Sequence, residues 1–339
     1  MNNVDNYNLN NQKILVTGGT GSFGNAFVSA TLKKFPNVEI VIYSRDEMKQ
    51  WEMALKYNAD DRIKFIIGDI RDKERIFRAL DGVDFVIHAA ATKIVPIAEY
   101  NPFECIKTNI NGAMNLIDAC INKKIKKVVA LSTDKASNPI NLYGATKLAS
   151  DKLFLAANSN DRSHETIFSV VRYGNVMGSR GSVIPYFLSL KDTGTLPITD
   201  VRMTRFMITL EQSIDLVWTS MFEMYGGEIF VKKIPSMNIV DIAKAIAPNA
   251  EIDIIGIRPG EKIHEQMIGL EDAPHTIEYK NYYKILPSLY DWSDDRQRIG
   301  NGKMVQNDFV YDSYSNDNYM SINDLQEWIE KNSYRINKL

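Results

Sequence analysis

Short apolar runs alternate with helical patterns through the first half of the chain. Apolar runs of this length, bounded by glycine or polar residues, are typical of strands that are buried on both faces of a parallel sheet. The six predicted strands are residues 13–17, 38–43, 62–67, 84–90, 127–132 and 166–173. Their alternation with helices predicts an α/β fold, in which a doubly wound parallel sheet is covered by helices on both faces.

Two of the helical patterns define an apolar face clearly. After the second strand, three apolar residues recur at helical spacing: Met48, Trp51 and Leu55. The second pattern spans residues 101–122 and begins with Asn101, a favourable N-cap residue, followed by Pro102 at the first helical position. Its apolar stripe is formed by Phe103, Ile106, Ile110, Ile117 and Ile121.

The regular alternation ends shortly after the sixth predicted strand, where Gly and Pro begin to occur at irregular intervals. This change predicts a sheet domain over residues 12–174, with residues 209–231 returning to it, and a smaller mixed α/β lobe made of residues 175–208 and 232–339. Residues 1–11 are rich in Asn and predict a disordered lead-in. Because no flexible linker separates the lobes, we expect them to pack closely, with a site between them.

The composition excludes several classes of function. A net charge of -2 gives no electrostatic basis for binding nucleic acid or an anionic membrane. No stretch approaches the roughly 20 consecutive apolar residues of a membrane-spanning helix, and the first residues resemble no signal peptide. Cys105 and Cys120 lie on one predicted helix and cannot meet, which argues against a metal site or a disulfide framework. We therefore expect a cytoplasmic protein without a metal.

A glycine-rich turn follows the first predicted strand and precedes a helix. Gly18, Gly21 and Gly24 are spaced so that the backbone can turn tightly, approach a pyrophosphate and pack the helix against the strand. A tight turn alone would need the same glycines, but this turn lies at the first strand–helix junction of a six-strand alternation. We therefore predict a Rossmann-type dinucleotide-binding domain, with the smaller C-terminal lobe binding the substrate.

The end of the second predicted strand favours NADP over NAD as the cofactor. NAD-binding proteins usually place an acidic residue there, whereas this chain has Ser44 and Arg45. A guanidinium binds the 2′-phosphate that a carboxylate would repel. Ser44 and Glu47 also match a capping box that would begin the next helix in any case. Asp69, after the third strand, is either a contact to the adenine edge or a solvated loop acid.

A cluster of reactive side chains follows the fifth predicted strand. Tyr143 and Lys147 are four residues apart on a helix, so the ammonium group is expected to lower the pKa of the phenol and make it a usable base. Thr133 can hydrogen-bond to the same phenol, and Asp134 and Lys135 add an acid and a second amine. A Tyr and a Lys at this spacing also occur by chance, and an Asp-Lys pair is equally typical of a solvated charged turn.

Six motifs together resemble the extended short-chain dehydrogenase/reductase family: TGGTGSFG, HAAA, STDK, YGATK, RYGNVMGSRGS and RPGEK. The resemblance covers nearly all of residues 12–270. Within the family, the segments SRDE, STDKASNPINLYGATK and RYGNVMGSRGSVIP are most similar to the inverting UDP-N-acetylglucosamine 4,6-dehydratases of bacterial pseudaminic acid biosynthesis. These proteins carry Thr-Asp-Lys where ordinary sugar 4,6-dehydratases carry Thr-Asp-Glu.

The resemblance implies a lyase reaction that uses NADP and a UDP-sugar. Tyr143, assisted by Lys147 and Thr133, removes the proton from the hydroxyl on sugar carbon 4 while a hydride passes to NADP. Lys135, neutral because of a depressed pKa, removes the carbon-5 proton, and protonated Asp134, with a raised pKa, donates to the departing carbon-6 hydroxyl. Hydride then returns to carbon 6 and a proton to the opposite face of carbon 5. The product is UDP-2-acetamido-2,6-dideoxy-β-L-arabino-hexos-4-ulose.

The same resemblance implies the residues that contact each ligand. The cofactor is expected to contact Gly18, Thr20, Gly21, Ser22, Phe23, Gly24, Ser44, Arg45, Asp69, Ile70, Ala89, Ala90, Ala91, Lys93, Asn109, Ser132, Tyr143 and Lys147. The substrate is expected to contact Lys93, Thr133, Tyr143, Tyr173, Asn175, Arg180, Ser182, Val183, Thr199, Arg205, Arg258 and Glu261. Arginines suit the two phosphates of a UDP-sugar, although Arg258 is also compatible with a surface ion pair.

One segment departs from close relatives in the family. They commonly read Ala-Leu-Lys-His-Val-Pro after the fourth strand, where this chain has Thr92 and Ile94 in place of Leu and His. Because Ile94 can neither hydrogen-bond nor titrate, sugar selectivity or assembly is expected to differ if that His contacts the sugar or a neighbouring subunit. The resemblance also implies a homo-oligomer, with a hexamer as the expected form.

Three other functions are compatible with the sequence. A retaining 4,6-dehydratase or a UDP-sugar 4-epimerase would use the same fold, but an epimerase has no need of Asp134 and Lys135. A non-catalytic NADP(H)-sensing regulator would keep the glycine-rich turn, but it has no reason to retain Tyr143 and Lys147 beside the nicotinamide.

Overall fold

The predicted apolar runs form the centre of a ten-stranded sheet in the computed structural model, which describes residues 7–160, 165–288 and 295–336. The strands are β1 Lys13–Thr17, β2 Glu39–Ser44, β3 Ile63–Ile67, β4 Phe85–His88, β5 Lys127–Leu131, β6 Ile167–Arg172, β7 Asn175–Val176, β8 Thr195–Ile198, β9 Thr204–Ile208, β10 Ile229–Lys232, β11 Ser236–Asn238, β12 Glu251–Ile254, β13 Gln266–Ile268, β14 Thr276–Glu278, β15 Tyr282–Ile285, β16 Lys303–Met304 and β17 Tyr311–Asp312.

Helices cover both faces of this sheet and build the second lobe. They are α1 Ser22–Lys34, α2 Glu47–Lys56, α3 Lys73–Ala79, α4 Val95–Tyr100, α5 Pro102–Ile106, α6 Gly112–Asn122, α7 Leu142–Asn160, α8 Val183–Leu190, α9 Leu210–Glu223, α10 Ile239–Ile246, α11 Arg296–Ile299 and α12 Ile322–Ile336. Among the described residues there are also a π-helical turn and three 3₁₀ turns: Lys107–Asn111, Asp134–Ala136, Lys191–Thr193 and Ala273–His275.

The main sheet has the strand order β16-β14-β15-β10-β6-β5-β4-β1-β2-β3. From β3 to β10 all neighbouring strands are parallel, whereas β15, β14 and β16 are added in antiparallel fashion. The strand order reverses direction between β1 and β4, which opens a crevice at the carboxyl ends of these strands. The predicted α/β fold with a doubly wound parallel sheet is confirmed.

The second lobe has an apolar core of its own. Helices α8, α10 and α12 pack there with the short strands that follow β6. The buried residues of this core include Met177, Ile184, Phe187, Leu196, Met203, Met237, Ile242 and Leu325. The two cores lie on either side of the crevice, so a ligand bound there would contact both.

The last strands of the main sheet correct the predicted division of the chain. Residues 232–339 do not all belong to the smaller lobe, because Thr276–Glu278, Tyr282–Ile285 and Lys303–Met304 extend the main sheet beyond Ile229–Lys232. Without them, the edge of β10 would leave its backbone N–H and C=O groups unpaired. These strands are short and lie among polar residues, so the sequence pattern does not mark them.

The predicted disorder of residues 1–11 is wrong for residues 7–11. Tyr7 stacks on Phe222 with ring centroids 4.1 Å apart, and its hydroxyl donates to the Glu223 carboxylate over 3.0 Å. Leu9 is fully buried in the main core. Residues 1–6 lie outside the described part of the chain.

The apolar face predicted for α2 points away from the core. Met48, Trp51 and Leu55 are all more than half exposed, and the buried residues of this helix are Gln50 and Met53. The Gln50 amide donates to the backbone oxygens of residues 44 and 66, both over 2.9 Å, which fixes the helix on its polar side. Hydrogen bonding to the strand ends therefore decides which face of this helix is buried.

The helix predicted over residues 101–122 is divided into three parts by the π-helical turn Lys107–Asn111. Asn101 precedes the first part, but its side chain donates to the Ile97 carbonyl over 3.0 Å and caps nothing. Phe103, predicted to be part of the apolar stripe, is 77% exposed. The wider π-helical turn changes which residues face the core. Cys105 and Asn109 are buried, whereas Phe103 is not.

Across residues 7–160, 165–288 and 295–336, none of the helices combines the length and the apolar character that crossing a membrane requires.

The packing of residue 9 is testable by stability measurement. Leu9→Ala removes a fully buried side chain, so we expect the free energy of unfolding to fall by about 3 kcal/mol. Leu55→Ala makes the same chemical change at a residue that is 61% exposed, and its effect should stay within about 0.5 kcal/mol. Denaturant unfolding checks both variants, and equal effects would contradict the ordered packing of residues 7–11.

Candidate active site

A cavity of about 900 Å³ opens at the carboxyl ends of the central parallel strands, between the two cores. All residues predicted to contact the cofactor or the substrate line this cavity, with the exception of Asn109. The fold therefore brings together residues that lie as far apart in the chain as Gly18 and Glu261.

The glycine-rich turn leaves no room for side chains at two positions. Gly18 has a φ of +65°, and a Cβ atom there would lie 2.9 Å from the Cα and N atoms of Ala90. A Cβ on Gly24 would lie 2.3 Å from the carbonyl oxygen of Gly19. Helix α1 begins after Gly21 without a side-chain cap and without an acidic residue in its first turn. Its free N–H groups and partial positive charge suit a pyrophosphate.

The end of β2 differs in detail from the predicted capping box. Asp46 is the N-cap of α2, and its side chain accepts a hydrogen bond from the Lys49 backbone N–H over 3.0 Å. The prediction that Ser44 and Glu47 cap this helix is therefore wrong. The buried Ser44 hydroxyl instead accepts from the Gln50 amide over 3.1 Å. Asp46 and Lys49 also line the cavity, although the sequence analysis did not single them out.

Asp69 is partly exposed at the cavity wall and forms ion pairs with two arginines. Arg71 binds its carboxylate through two guanidinium nitrogens, at 2.6 and 3.0 Å. Burial favours a higher pKa of the Asp69 carboxyl, but the hydrogen bonds from Arg71 outweigh it and hold this pKa below its usual range. The Arg45 guanidinium lies 3.7 Å from the same carboxylate and is 61% exposed. Ile70 follows on the same wall of the cavity.

The loop after β4 is held by polar side chains beneath it. The Thr17 hydroxyl accepts from the backbone N–H groups of Ala89 and Ala90, both over 3.2 Å, and contacts the Nδ1 atom of His88 at 2.8 Å. Burial, together with the positive charge of Lys147, lowers the pKa of His88 to about 3. The imidazole is therefore neutral and serves to fix this loop.

Asn109 is not among the residues that line the cavity, and its contact with the cofactor stays a prediction. Its side chain accepts from the Thr92 backbone N–H over 2.9 Å and donates to the Thr92 carbonyl and the Thr146 hydroxyl, both over 3.0 Å. These bonds satisfy the whole amide group in a buried position. Asn109 therefore joins the loop after β4 to α7, and the π-helical turn places it there.

Tyr143 is buried, and burial raises the pKa of its phenol to about 12. The groups that oppose this rise are the Lys135 ammonium and a hydrogen bond with Thr133. The phenol pKa is therefore raised overall, and not lowered as the spacing of Tyr143 and Lys147 predicted. Burial lowers the pKa of Lys147 itself, and the charge of Asp151 opposes that change.

Asp151 is buried and interacts with the charge of Lys147, and it was not among the predicted site residues. It accepts from the Ser132 hydroxyl over 2.6 Å and lies 3.7 Å from the Arg172 guanidinium. Burial raises the pKa of Asp151, while Lys147 and Arg172 oppose the rise. Residue 151 is four positions after Lys147, and this helical spacing was a usable signal.

Asp134 and Lys135 form a 3₁₀ turn directly after β5, and this turn is not solvated. Asp134 is 1% exposed, and its Oδ1 atom lies 3.0 Å from both the Lys135 ammonium and the Thr133 hydroxyl. Burial raises the pKa of Asp134, as predicted. The Oδ2 atom is buried and has no hydrogen-bond partner among the described residues.

Lys135 contacts a second carboxylate that the sequence analysis did not find. Its Nζ atom lies 3.1 Å from Oε1 of Glu265, which is 2% exposed and lies directly before β13. Burial favours a lower pKa of Lys135, but Asp134 and Glu265 outweigh it and raise this pKa. The predicted depressed pKa of Lys135 is therefore wrong for this arrangement. No motif in the sequence indicates Glu265, because its partner Lys135 lies in the first half of the chain, far from it in sequence.

The far end of the cavity carries several cations. Arg205 donates to the backbone oxygens of Lys262 and Ile263, both over 3.0 Å. Arg258 forms an ion pair with Glu261 in an exposed position at the cavity wall. The surface ion pair considered for Arg258 is thus present, and both of its members still line the cavity.

The RPGEK segment is hydrogen-bonded to the start of α7. The Asn141 side chain donates to the Gly260 carbonyl over 2.7 Å and accepts from the Gly144 backbone N–H over 2.7 Å. Lys262 donates to the Ser137 carbonyl over 2.6 Å. Nearby, the Lys93 ammonium lies 3.4 Å from the Arg180 carbonyl oxygen. The remaining predicted substrate contacts line the same end of the cavity: Tyr173, Asn175, Ser182, Val183 and Thr199.

Within the described part of the chain, no three or more His, Cys, Asp or Glu residues come together in a group that could hold a metal ion. The acidic residues at the centre of the cavity are matched by Lys and Arg instead. Proton transfer between side chains is the chemistry that this arrangement supports.

The close backbone approach at Gly18 gives a test of dinucleotide binding. Gly18→Ala places a Cβ against the Ala90 backbone, so we expect the affinity for a nicotinamide dinucleotide to fall by about tenfold or more. Gly82→Ala is the matched control, because Gly82 has a φ of +68° but no atom within 4 Å of an added Cβ. Calorimetric titration measures both affinities, and equal losses would show that backbone strain alone is responsible.

Comparison with known proteins places the chain in a family. Residues 14–287 match the model of the polysaccharide biosynthesis protein family. The UDP-N-acetylglucosamine 4,6-dehydratase (inverting) of Campylobacter jejuni subsp. jejuni serotype O:2 is 54% identical over 328 residues, which cover 95% of this chain and 98% of that protein. The UDP-glucose 4-epimerase of Rickettsia conorii is 45% identical over 280 residues, which cover 80% of this chain and 82% of that protein.

A solved structure shares the architecture over nearly the whole chain. The X-ray structure of Pen from Bacillus thuringiensis superposes with a TM-score of 0.87 at 36% sequence identity, covering 96% of this chain and 99% of that chain. The chain belongs to the polysaccharide biosynthesis protein family, within the extended short-chain dehydrogenases/reductases.

Proposed function

We propose that this protein is a UDP-N-acetylglucosamine 4,6-dehydratase that inverts carbon 5. The observation that carries the proposal is the ion pair between the buried Asp134 and the partly exposed Lys135, which lies in the same cavity as Tyr143. An epimerase needs only the oxidation and reduction at carbon 4, and it has no use for a second acid and base. The Campylobacter jejuni relative, at 54% identity over nearly the full length of both chains, supports the dehydratase.

The glycine-rich turn and the open N-terminus of α1 fit a nicotinamide dinucleotide. When bound, this cofactor would take a hydride from sugar carbon 4 and return it to carbon 6. NADP is the proposed form, because Arg45 and Lys49 line the cavity at the end of β2, where an acid would select NAD. Two acids lie near this point, and both are engaged by cations: Asp46 by Lys49, and Asp69 by Arg71.

Tyr143 is the proposed base for the carbon-4 hydroxyl. Its phenol pKa of about 12 makes it protonated in the resting protein, so it must first pass on its own proton. The proposed acceptor is the Lys147 amine, whose pKa is lowered by burial. The phenolate then takes the hydroxyl proton. The Lys135 ammonium and the Thr133 hydroxyl favour the phenolate. Lys147 lies four residues after Tyr143 on α7, and this helical spacing supports the proposed transfer. The ketone that forms at carbon 4 acidifies the hydrogen on carbon 5.

The Asp134–Lys135 pair can supply both the base and the acid for elimination. A proton that moves from Lys135 Nζ to Asp134 Oδ1, over 3.0 Å, leaves a neutral amine and a carboxylic acid. Burial favours this neutral pair over two separated charges. The amine then takes the carbon-5 proton, and the acid donates to the carbon-6 hydroxyl, which leaves as water. One internal proton transfer therefore prepares both groups.

The cations at the far end of the cavity are the proposed site for the UDP diphosphate. Arg180, Arg205 and Arg258 all line this region, and guanidinium groups bind phosphates in bidentate fashion. The UDP moiety would thus bind in the second lobe and place the sugar against the turn after β5.

The cellular setting is proposed from the resemblance. We place the reaction in the cytoplasm and in pseudaminic acid biosynthesis, and we propose a homo-oligomer, in hexameric form. Large exposed apolar side chains on α4 to α6 support contact with a further copy of the chain: Ile97, Tyr100, Phe103 and Met114.

Proton NMR of the protein with UDP-N-acetylglucosamine in deuterated water tests the reaction. We expect 4-keto-6-deoxy signals without added reductant, with deuterium at carbon 5 and the ring couplings of the inverted sugar. Asp134→Asn and Lys135→Met should each reduce turnover by at least about 100-fold, because each removes one partner of the elimination.

Each other outcome points to a different function. Product formation without inversion at carbon 5 would identify a retaining dehydratase. A galacto-configured product that persists in Asp134→Asn and Lys135→Met would identify an epimerase. Binding of NADP without turnover of any UDP-sugar would favour a non-catalytic sensor.

The choice of cofactor is testable at Arg45. Arg45→Ala should weaken NADP binding by about 10-fold to 100-fold and leave NAD binding unchanged, because only NADP carries the 2′-phosphate. Arg78→Ala serves as the control, since Arg78 is exposed on α3 and does not line the cavity. Equal affinity of the unsubstituted protein for both dinucleotides would refute the preference for NADP.

A further inference from the structure

We propose that Glu265 is a positioning residue for Lys135, which holds the Lys135 amine in place and stabilises the ammonium group that forms when Lys135 takes the carbon-5 proton. This inference rests on the proposed function and adds a residue from the second half of the chain to it. The arrangement resembles a catalytic histidine held by a carboxylate, in which the carboxylate orients the base and balances its charge.

The chain around Glu265 is fixed against the turn that carries Lys135. β13 begins at the next residue, Gln266, and packs against the turn Asp134–Ala136. Gln266 accepts a hydrogen bond from Asn138, and the buried Arg172 guanidinium donates to the Met267 carbonyl over 2.7 Å. The Glu265 backbone N–H donates to the Ser313 hydroxyl over 2.9 Å. Its carboxylate therefore has a fixed starting point.

The carboxylate of Glu265 contacts cations on one side only. Its Oε1 atom lies 3.1 Å from Lys135 Nζ and 3.9 Å from Arg205 Nε. The Oε2 atom is buried and has no hydrogen-bond partner among the described residues. Glu265 lines the cavity. Burying a carboxylate oxygen without a hydrogen bond costs free energy. The positive charges of Lys135 and Arg205 offset this cost.

The charged groups that face Lys135 come from four parts of the chain. Asp134 shares its turn, Glu265 precedes β13, Arg205 lies on β9 and Lys262 belongs to the RPGEK segment. Tyr143 faces the same group from α7. Two carboxyl groups thus contact the Lys135 amine, and Arg205 and Lys262 add positive charge near Glu265.

The two carboxyl groups beside Lys135 are driven in opposite directions. Burial raises the pKa of Asp134. Burial also favours a higher pKa of Glu265, but the charges of Lys135 and Arg205 outweigh it and hold this pKa below its usual range. Carboxyl groups whose environments separate their pKa values take different roles. Asp134 is therefore suited to hold the proton for the leaving hydroxyl, while Glu265 stays a carboxylate.

A carboxylate that never takes the proton is useful during elimination. The carbon-5–hydrogen bond breaks, its proton joins the Lys135 amine, and the electron pair moves toward the carbon-4 ketone. The carbon-6–oxygen bond then breaks, and the hydroxyl leaves as water with the proton of Asp134. At this stage Lys135 is an ammonium group again, and Glu265 is the anion beside it. The negative charge of Glu265 thus stabilises the transition state, in which Lys135 becomes positively charged, more than the ground state, in which Lys135 is neutral.

Glu265→Gln tests this role, because it keeps the volume and one oxygen but removes the charge. We expect kcat for UDP-N-acetylglucosamine to fall by about 100-fold, with KM changed by less than about threefold. Oxidation at carbon 4 does not need Glu265, so the absorbance of the reduced nicotinamide should build up during a single turnover. Loss of the anion lowers the pKa of Lys135. In a plot of kcat against pH, the rise that accompanies deprotonation of the Lys135 ammonium should therefore move to lower pH.

Two further variants separate this role from a structural one. Glu265→Asp keeps the charge and should retain the position of that pH limb. In the Lys135→Met background, Glu265→Gln should cause no additional loss of deuterium exchange at carbon 5, because its target is gone. Glu278→Gln is the matched control: Glu278 forms an exposed ion pair with Lys233 outside the cavity, and its loss should leave kcat unchanged.

Several results would overturn the inference. A kcat of Glu265→Gln within about threefold of the unsubstituted protein would do so, as would a lower kcat without any shift of the pH limb. If thermal unfolding shows that Glu265→Gln does not fold, the pH limb of Glu265→Asp decides, and a displaced limb there counts against the role. Failure of the unsubstituted protein to dehydrate UDP-N-acetylglucosamine would instead contradict the proposed function.

Discussion

Burial of charge at the carboxyl edge of the sheet is the constraint on which the site depends. Asp134 and Glu265 are both almost completely withdrawn from water, and isolated charges in such a place would be strongly destabilising. They are tolerated because Lys135 lies between them and Arg205 stands behind Glu265. The β13 region and the turn after β5 must therefore stay together. The same contacts that satisfy these charges hold the reactive groups in place.

The backbone around the cavity is arranged to leave space for a ligand and to keep its loops still. Gly18 and Gly24 allow the turn before α1 to approach neighbouring backbone closely. Thr17 and Asn109 fix the loop after β4 by accepting hydrogen bonds from its backbone N–H groups, and neither needs to contact a ligand to do so. The reversal of strand order between β1 and β4 places these supports on one edge of the sheet. The site is thus built on rigid elements, with the reactive side chains at their ends.

Local sequence patterns predicted where the strands and helices lie better than they predicted which side chains of those elements are buried. The apolar runs became strands with boundaries close to those expected, because a strand that is buried on both faces must be apolar throughout. Trp51 and Phe103 were placed on apolar faces, yet both are exposed. Helical spacing shows which residues share a face, but the hydrogen bonds of Gln50 and Asn109 decided which face turns inward. Such bonds join distant segments and leave no periodic signal.

The sequence by itself determined the sheet, the glycine-rich turn and the residues that follow β5, because each depends on neighbours within a few positions. It predicted Tyr143 and Asp134 as reactive groups for the same reason. Only the tertiary structure decided their electrostatics. Burial raises the pKa of both, and the charges of Asp134 and of Glu265, which comes from the second half of the chain, raise the pKa of Lys135, where the sequence predicted a lowered one. Desolvation and long-range ion pairs exist only once the lobes have packed together, so no local pattern encodes them.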